Sequence, residues 1–239
     1  MGFNYGRYDS PQVPVIKNVR GVKIAFLAYC TWGAICKPRT MFKSGPAVYT
    51  KDSATRDVHA LRKKNDPDIV VIFLHWGKEY IEQPTTEQRT IAKELIALNV
   101  SMVIGSHSHR IEKHCFHGDS LVSYGLGNFL FPPYGSDGNH EIFNWPEKSQ
   151  RARKLRNKHH VRIEGFEERV QSTRNPTTRS MILRVTVNKQ GIVNAQYLPV
   201  VIRFHAKKKL FQPTPVSKEW ISVCSERDTH CLEKKQTCV

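Results

Sequence analysis

Two histidines one residue apart stand in Gly105-Ser106-His107-Ser108-His109, directly after an apolar stretch. A third, His75, closes another apolar stretch, Ile69 to Leu74. An i, i+2 pair in an extended chain lies on one face with its Cα atoms about 7 Å apart. It converges only if the chain leaves the strand in a turn, and a G-x-H-x-H sequence makes such a turn. Neutral imidazole is the commonest side-chain metal ligand, and three imidazoles can hold one zinc-like ion. The pattern points to a metal centre built from His75, His107 and His109. The alternative is three unrelated histidines, exposed or hydrogen-bonded within loops. A lone histidine favours that alternative, whereas a pair plus a third at an equivalent strand end favours the metal. His114 and His117 fall on a segment that reads as the next strand and are assigned structural roles.

For the three to meet, their strands must be adjacent and parallel. Val22 to Tyr29, Ile69 to Leu74 and Val100 to Gly105 are near-continuous apolar runs of strand length, the pattern of strands buried on both faces. Leu121 to Gly127 reads as a fourth. Ser53 to Lys64 reads as a helix with Ser53 as N-cap, ended by Asp66-Pro67-Asp68. Thr85 with Gln88 forms a capping box for a second helix, whose apolar stripe is Ile91, Ala92, Leu95, Ile96 and Leu98. The order is that of an α/β sheet with histidines at the carboxyl ends of its strands, where ligand sites of open α/β sheets cluster. Ser180 to Val187 and Gly191 to Arg203 read as a hairpin turning at Asn188 to Gly191.

Composition bounds the class. The chain has 239 residues, 39% hydrophobic and 24% charged, which excludes collagen, coiled coil and a wholly disordered chain. The longest apolar stretch is too short to span a bilayer. The opening Met1-Gly2-Phe3-Asn4-Tyr5-Gly6 has neither a basic nor an apolar leader region, so no secretory signal is expected.

The net charge of +16 favours anionic partners. It is concentrated in Lys148, Arg151, Arg153, Lys154, Arg156, Lys158 and Arg162, with no acid between them. These seven are candidate polyanion-binding residues. Their segment holds no aromatic residue, which argues against a nucleic-acid interface. The six cysteines form no C-x-x-C pair and no disulfide scaffold is expected. Cys30 reads as a buried, inert thiol.

The stretches IVVIFLHWGKEY (69–80), PTTEQRTIAKELIALNVSMVIGSHSHR (84–110) and LVSYGLGNFLF (121–131) closely resemble the CapA-type poly-γ-glutamate capsule synthesis proteins, the PGA_cap family. That family is a branch of the calcineurin-like metallophosphoesterase superfamily. VKIAFLAY (22–29) and the late hairpin resemble it too, so about half the chain is covered. The resemblance implies an α/β fold, a metallophosphoesterase-like two-sheet sandwich flanked by helices. It implies divalent metal ions of Mn, Fe or Zn type, with His75 as the lone ligand and His107 and His109 as the pair. Glu79 matches a site-facing carboxylate, and Asn128 a residue beside the site whose bland alternative is a turn-forming Asn. The implied partner is an anionic polymer or a phosphorylated substrate.

The departure lies at the start. Superfamily members bring an early acidic residue, a Gly-Asp with a bridging carboxylate and an Asn-His motif, and none has a counterpart before Val22. The chain thus resembles the domain lacking its N-terminal part. The expected organisation is an irregular lead-in (1–21), a partial CapA-like metallophosphoesterase domain (22–205) with a basic flexible insertion at about 132–176, and a polar tail (206–239). Gly138-Asn139-His140-Glu141 spells the superfamily's Gly-Asn-His-Glu, but after His75 rather than before it, and reads as coincidence. Two functions follow. One is a capsule-synthesis protein with metal-dependent, phosphoesterase-like hydrolase chemistry. The other is a catalytically incomplete domain that binds anionic polymers through its basic segment.

Overall fold

The computed structural model describes residues 12–31, 33, 36, 45–129, 178–205 and 210–223. The basic segment 148–162, Gly138 to Glu141 and the last three cysteines lie outside them.

Continuous apolar runs form the centre of the first sheet. β1 (Val15–Val19), β2 (Val22–Cys30), β3 (Ile69–His75), β4 (Met102–Ser106), β5 (His114–His117) and β6 (Ser120–Ser123) assemble in the order β1-β2-β3-β4-β6-β5. The four central strands run parallel, and β1 and β5 flank them antiparallel. β3 is buried on both faces over most of its length, so both of its rows of side chains must be apolar.

One face of this sheet is covered by helices α1 (Lys51–Asn65) and α2 (Thr86–Ala97). Ala54, Val58 and Leu61 of α1 and Ile91, Ala92 and Leu95 of α2 pack on Leu27, Ile72, Leu74 and Val103. Apolar burial of this kind stabilises by roughly 25 cal/mol per Å². The other face meets a second, antiparallel sheet of β7 (Arg179–Asn188), β8 (Gly191–His205), β9 (Leu210–Pro215) and β10 (Ile221–Ser222). Ile69, Val71, Met102, Ile104 and Leu121 pack there against Leu183, Val185, Ala195 and Tyr197. The fold is a two-sheet α/β sandwich.

Four expectations change. The stretch 1–21 is not wholly irregular: β1 lies within it and folds back on β2 through Arg20 (φ 52°) and Gly21 (φ 84°). Two consecutive positive φ values define the tight hairpin turn whose twist matches its strands. Helix α1 is capped by Thr50, and Ser53 completes the capping box from N3. The polar tail contains β9 and β10, both paired to the long β8. Their sequence is weak in strand formers, and Pro213 and Pro215 suit a flanking strand. Cys30 is fully buried but bonded to Cys36 (Cα–Cα 5.9 Å). Cys115 is also disulfide-bonded, so these three cysteines serve as cross-links rather than inert thiols. The expected late hairpin, the Thr85–Gln88 capping box and the stop at Asp66 all form.

Candidate metal centre

His75 is the last residue of β3, in register with Cys30 of β2 on one side and Ser106 of β4 on the other. Parallel pairing therefore delivers His75 and the Gly105–His109 turn to the same end of the sheet. The ring centroids of His75 and His107 lie 4.5 Å apart, and those of His107 and His109 lie 6.2 Å apart.

The turn that presents the pair is strained. His107 has φ 101° and His109 φ 57°, conformations that cost non-glycine residues of order 1–3 kcal/mol each. Surrounding structure holds them. The Tyr80 N–H donates to the Ser108 carbonyl at 2.7 Å, and the Trp76 N–H to the Ser106 carbonyl at 3.2 Å. The Trp76 indole, fully buried, donates to the Tyr124 carbonyl at 2.9 Å. Gly105 is required because a Cβ there would strike the Tyr124 carbonyl and the Trp76 indole nitrogen.

A neighbouring amide sets the tautomer of one ring. The Asn128 side-chain oxygen lies 2.8 Å from His109 Nδ1. An amide oxygen only accepts, so Nδ1 carries the proton and Nε2 the lone pair. The Ser106 hydroxyl donates to the Leu74 carbonyl at 3.2 Å and lies 3.5 Å from His75 Nδ1. The ring of Tyr80 stacks on His109 at 5.5 Å.

The electrostatics disfavour the charged form of two of the rings. His75 is held down to about 4, first by burial and then by His107 and His109, with Glu79 opposing. Burial also lowers His107, against the pull of Glu79. Each is favoured as the neutral imidazole, with a proton on one ring nitrogen and a lone pair on the other. Glu79 is partly buried and its charge reaches both rings, so it lies beside the cluster. His114 stands apart, edge-on to Tyr197 at 4.7 Å.

Three imidazoles and an adjacent carboxylate suit a divalent ion of Zn, Mn or Fe type in kind. Among the described residues, no three His, Cys, Asp or Glu side chains already close into a ligand set. The rings are gathered at one end of the sheet without meeting at one point.

Ser106, Tyr80 and the buried residues behind the turn are additions to the residues legible in the sequence. Ser106 lies inside G-S-H-S-H and Tyr80 ends H-W-G-K-E-Y, so position alone could have flagged them.

The model of the family "Bacterial capsule synthesis protein PGA_cap" matches residues 4–133. The chain is similar to "Capsule biosynthesis protein CapA" of Bacillus anthracis, 29% identical over 49% of this chain and 29% of that protein. It is similar to "PGA biosynthesis protein CapA" of Bacillus subtilis (strain 168), 29% identical over 55% of this chain and 34% of that protein. The chain thus spans about a third of the length of the curated relatives it matches. A hypothetical protein from Thermus thermophilus aligns over 91% of this chain and 66% of its own at 14% identity, with a TM-score of 0.37.

Proposed function

The chain belongs to the PGA_cap family of bacterial capsule synthesis proteins, and on that premise we propose that it acts in poly-γ-glutamate capsule synthesis through a divalent cation held by His75, His107 and His109. The observation that carries this reading is the gathering of three imidazoles at one sheet end, with the His109 proton fixed by Asn128. The names of two relatives support the capsule role. When bound, such a cation supplies Lewis-acid polarisation of a phosphoryl or carboxyl oxygen. Burial disfavours the charged form of His75 and His107, so each keeps a lone pair on one ring nitrogen. Glu79 adds a carboxylate whose charge reaches His75 and His107. The substrate class is an anionic polymer or a phosphorylated compound, consistent with the chain's +16 charge.

The second reading is polyanion binding without chemistry, and seven cations between Lys148 and Arg162 with no acid among them favour it. One titration separates the two. Poly-γ-glutamate is added to the purified chain with and without Mn²⁺ or Zn²⁺. The first reading expects a binding step that requires the cation and vanishes in His107→Ala. Binding that ignores the cation and survives that substitution leaves only the second.

A further inference from the structure

A buried polar knot lies directly behind the histidine turn. Glu112, Ser108 and Gln88 are 2%, 1% and 0% exposed. Gln88 has two tasks: its side-chain oxygen accepts from the Thr85 N–H at 2.9 Å, and its amide nitrogen donates to Glu112 Oε2 at 3.1 Å. The Ser108 hydroxyl is within hydrogen-bond reach of the Glu112 carboxylate and of the Arg110 carbonyl. It has one proton, and a carboxylate is the stronger acceptor. The Glu112 N–H donates to the Gly125 carbonyl at 3.0 Å.

Two glycines make room for the knot. A Cβ at Gly125 would come within 2.8 Å of both Glu112 Oε2 and Ser108 Oγ, and one at Gly77 within 2.7 Å of the Gln88 amide. The arrangement ties the start of α2, the segment after β6 and the residue between the two histidines to one carboxylate. Burying a carboxylate is costly, and among the described residues Glu112 Oε1 has no hydrogen-bond partner. A knot that served packing alone would be better built from apolar side chains.

We propose that Glu112 is a positioning residue for the candidate metal centre: through Ser108 it locks the left-handed turn that aims His107 and His109 together. It touches neither ion nor substrate. The proposal rests on the metal reading above.

The test is cobalt binding by the full chain, followed by titration and by the visible absorption of the bound Co²⁺. Glu112→Ala should weaken Co²⁺ binding by about 10–100-fold, as losses of outer-shell support do, and should alter the absorption band. Glu112→Gln keeps the size and an acceptor oxygen and should restore most of the affinity and the native band. Ser108→Ala cuts the link while leaving the carboxylate, so it reports even if Glu112→Ala fails to fold, and it should weaken binding in the same direction. Wild-type affinity with an unchanged band in Ser108→Ala and in any folded Glu112→Ala protein overturns the proposal alone. A wild-type chain that takes up no cobalt overturns the metal reading, and the proposal with it.

Discussion

The side chains of Asn128 and His109 meet at 2.8 Å, oxygen to Nδ1, and that bond decides which imidazole nitrogen carries the lone pair. Sequence reasoning leaves Asn128 between a residue beside the candidate site and a turn former; its side chain bonds one of the candidate histidines. Replacing Asn128 by Ala should lower divalent-metal affinity by about 10–100-fold with little change in melting temperature. Calorimetric titration of Zn²⁺ into both proteins checks it, and equal affinities would remove Asn128 from the site.

Glu112 gives the metal-free protein a pH dependence of definite sign. Burial raises its carboxyl from 4.5 to about 7, against hydrogen bonds from Gln88 and Ser108. Tyr124 also feels its charge. Between those two values the folded chain holds a proton that the unfolded chain has released. Stability linked to this group is therefore fully present below pH 4.5 and is lost as pH rises through about 7. Glu112→Gln removes the dependence. Its melting temperature should exceed that of wild type at alkaline pH, and the gap should shrink towards acid. A gap independent of pH would contradict the assignment.

Gly105→Ala should destabilise the fold by about 1–3 kcal/mol or more, because overpacking forces backbone to move. The added methyl meets a carbonyl and a fully buried indole, neither able to yield cheaply. Urea melts of the two proteins test this, and an unchanged midpoint would show that the space exists.

Much of this was legible because buried parallel strands must be apolar on both faces. β2, β3 and β4 stand out for that reason, and so do the residues they deliver, His75 and His107. The capping box of α2 and the late hairpin were legible because their signals are local. β9 and β10 were not, since their strand character comes from pairing with β8 rather than from their own residues. β1 was hidden by Lys17 and Asn18, which an exposed flanking strand tolerates. The Cys30–Cys36 bridge depends on how the loop after β2 doubles back, with Tyr49 N–H donating to the Cys30 carbonyl at 3.0 Å, and no spacing rule reveals that. Gln88 and Glu112 carry side chains that a sequence reading places on the surface. Only the tertiary structure buries them together.

The basic segment should act independently of the histidines. Deleting 148–162 should abolish salt-sensitive binding to polyglutamate, since counterion release drives such binding, and leave metal content unchanged. Loss of metal in the deletion would make His140 and Glu141 ligands and undo the reading of Gly138 to Glu141 as coincidence.

If His75, His107 and His109 form one metal centre, the purified chain holds divalent metal. The most direct measurement is elemental analysis of the purified chain after equilibration with Mn²⁺, Fe²⁺ and Zn²⁺ and removal of the excess, for wild type and for His107→Ala. The expected result is stoichiometric divalent metal in the wild type and its loss in the variant. A wild-type chain without metal, or a His107→Ala chain that retains it in full, would contradict the account.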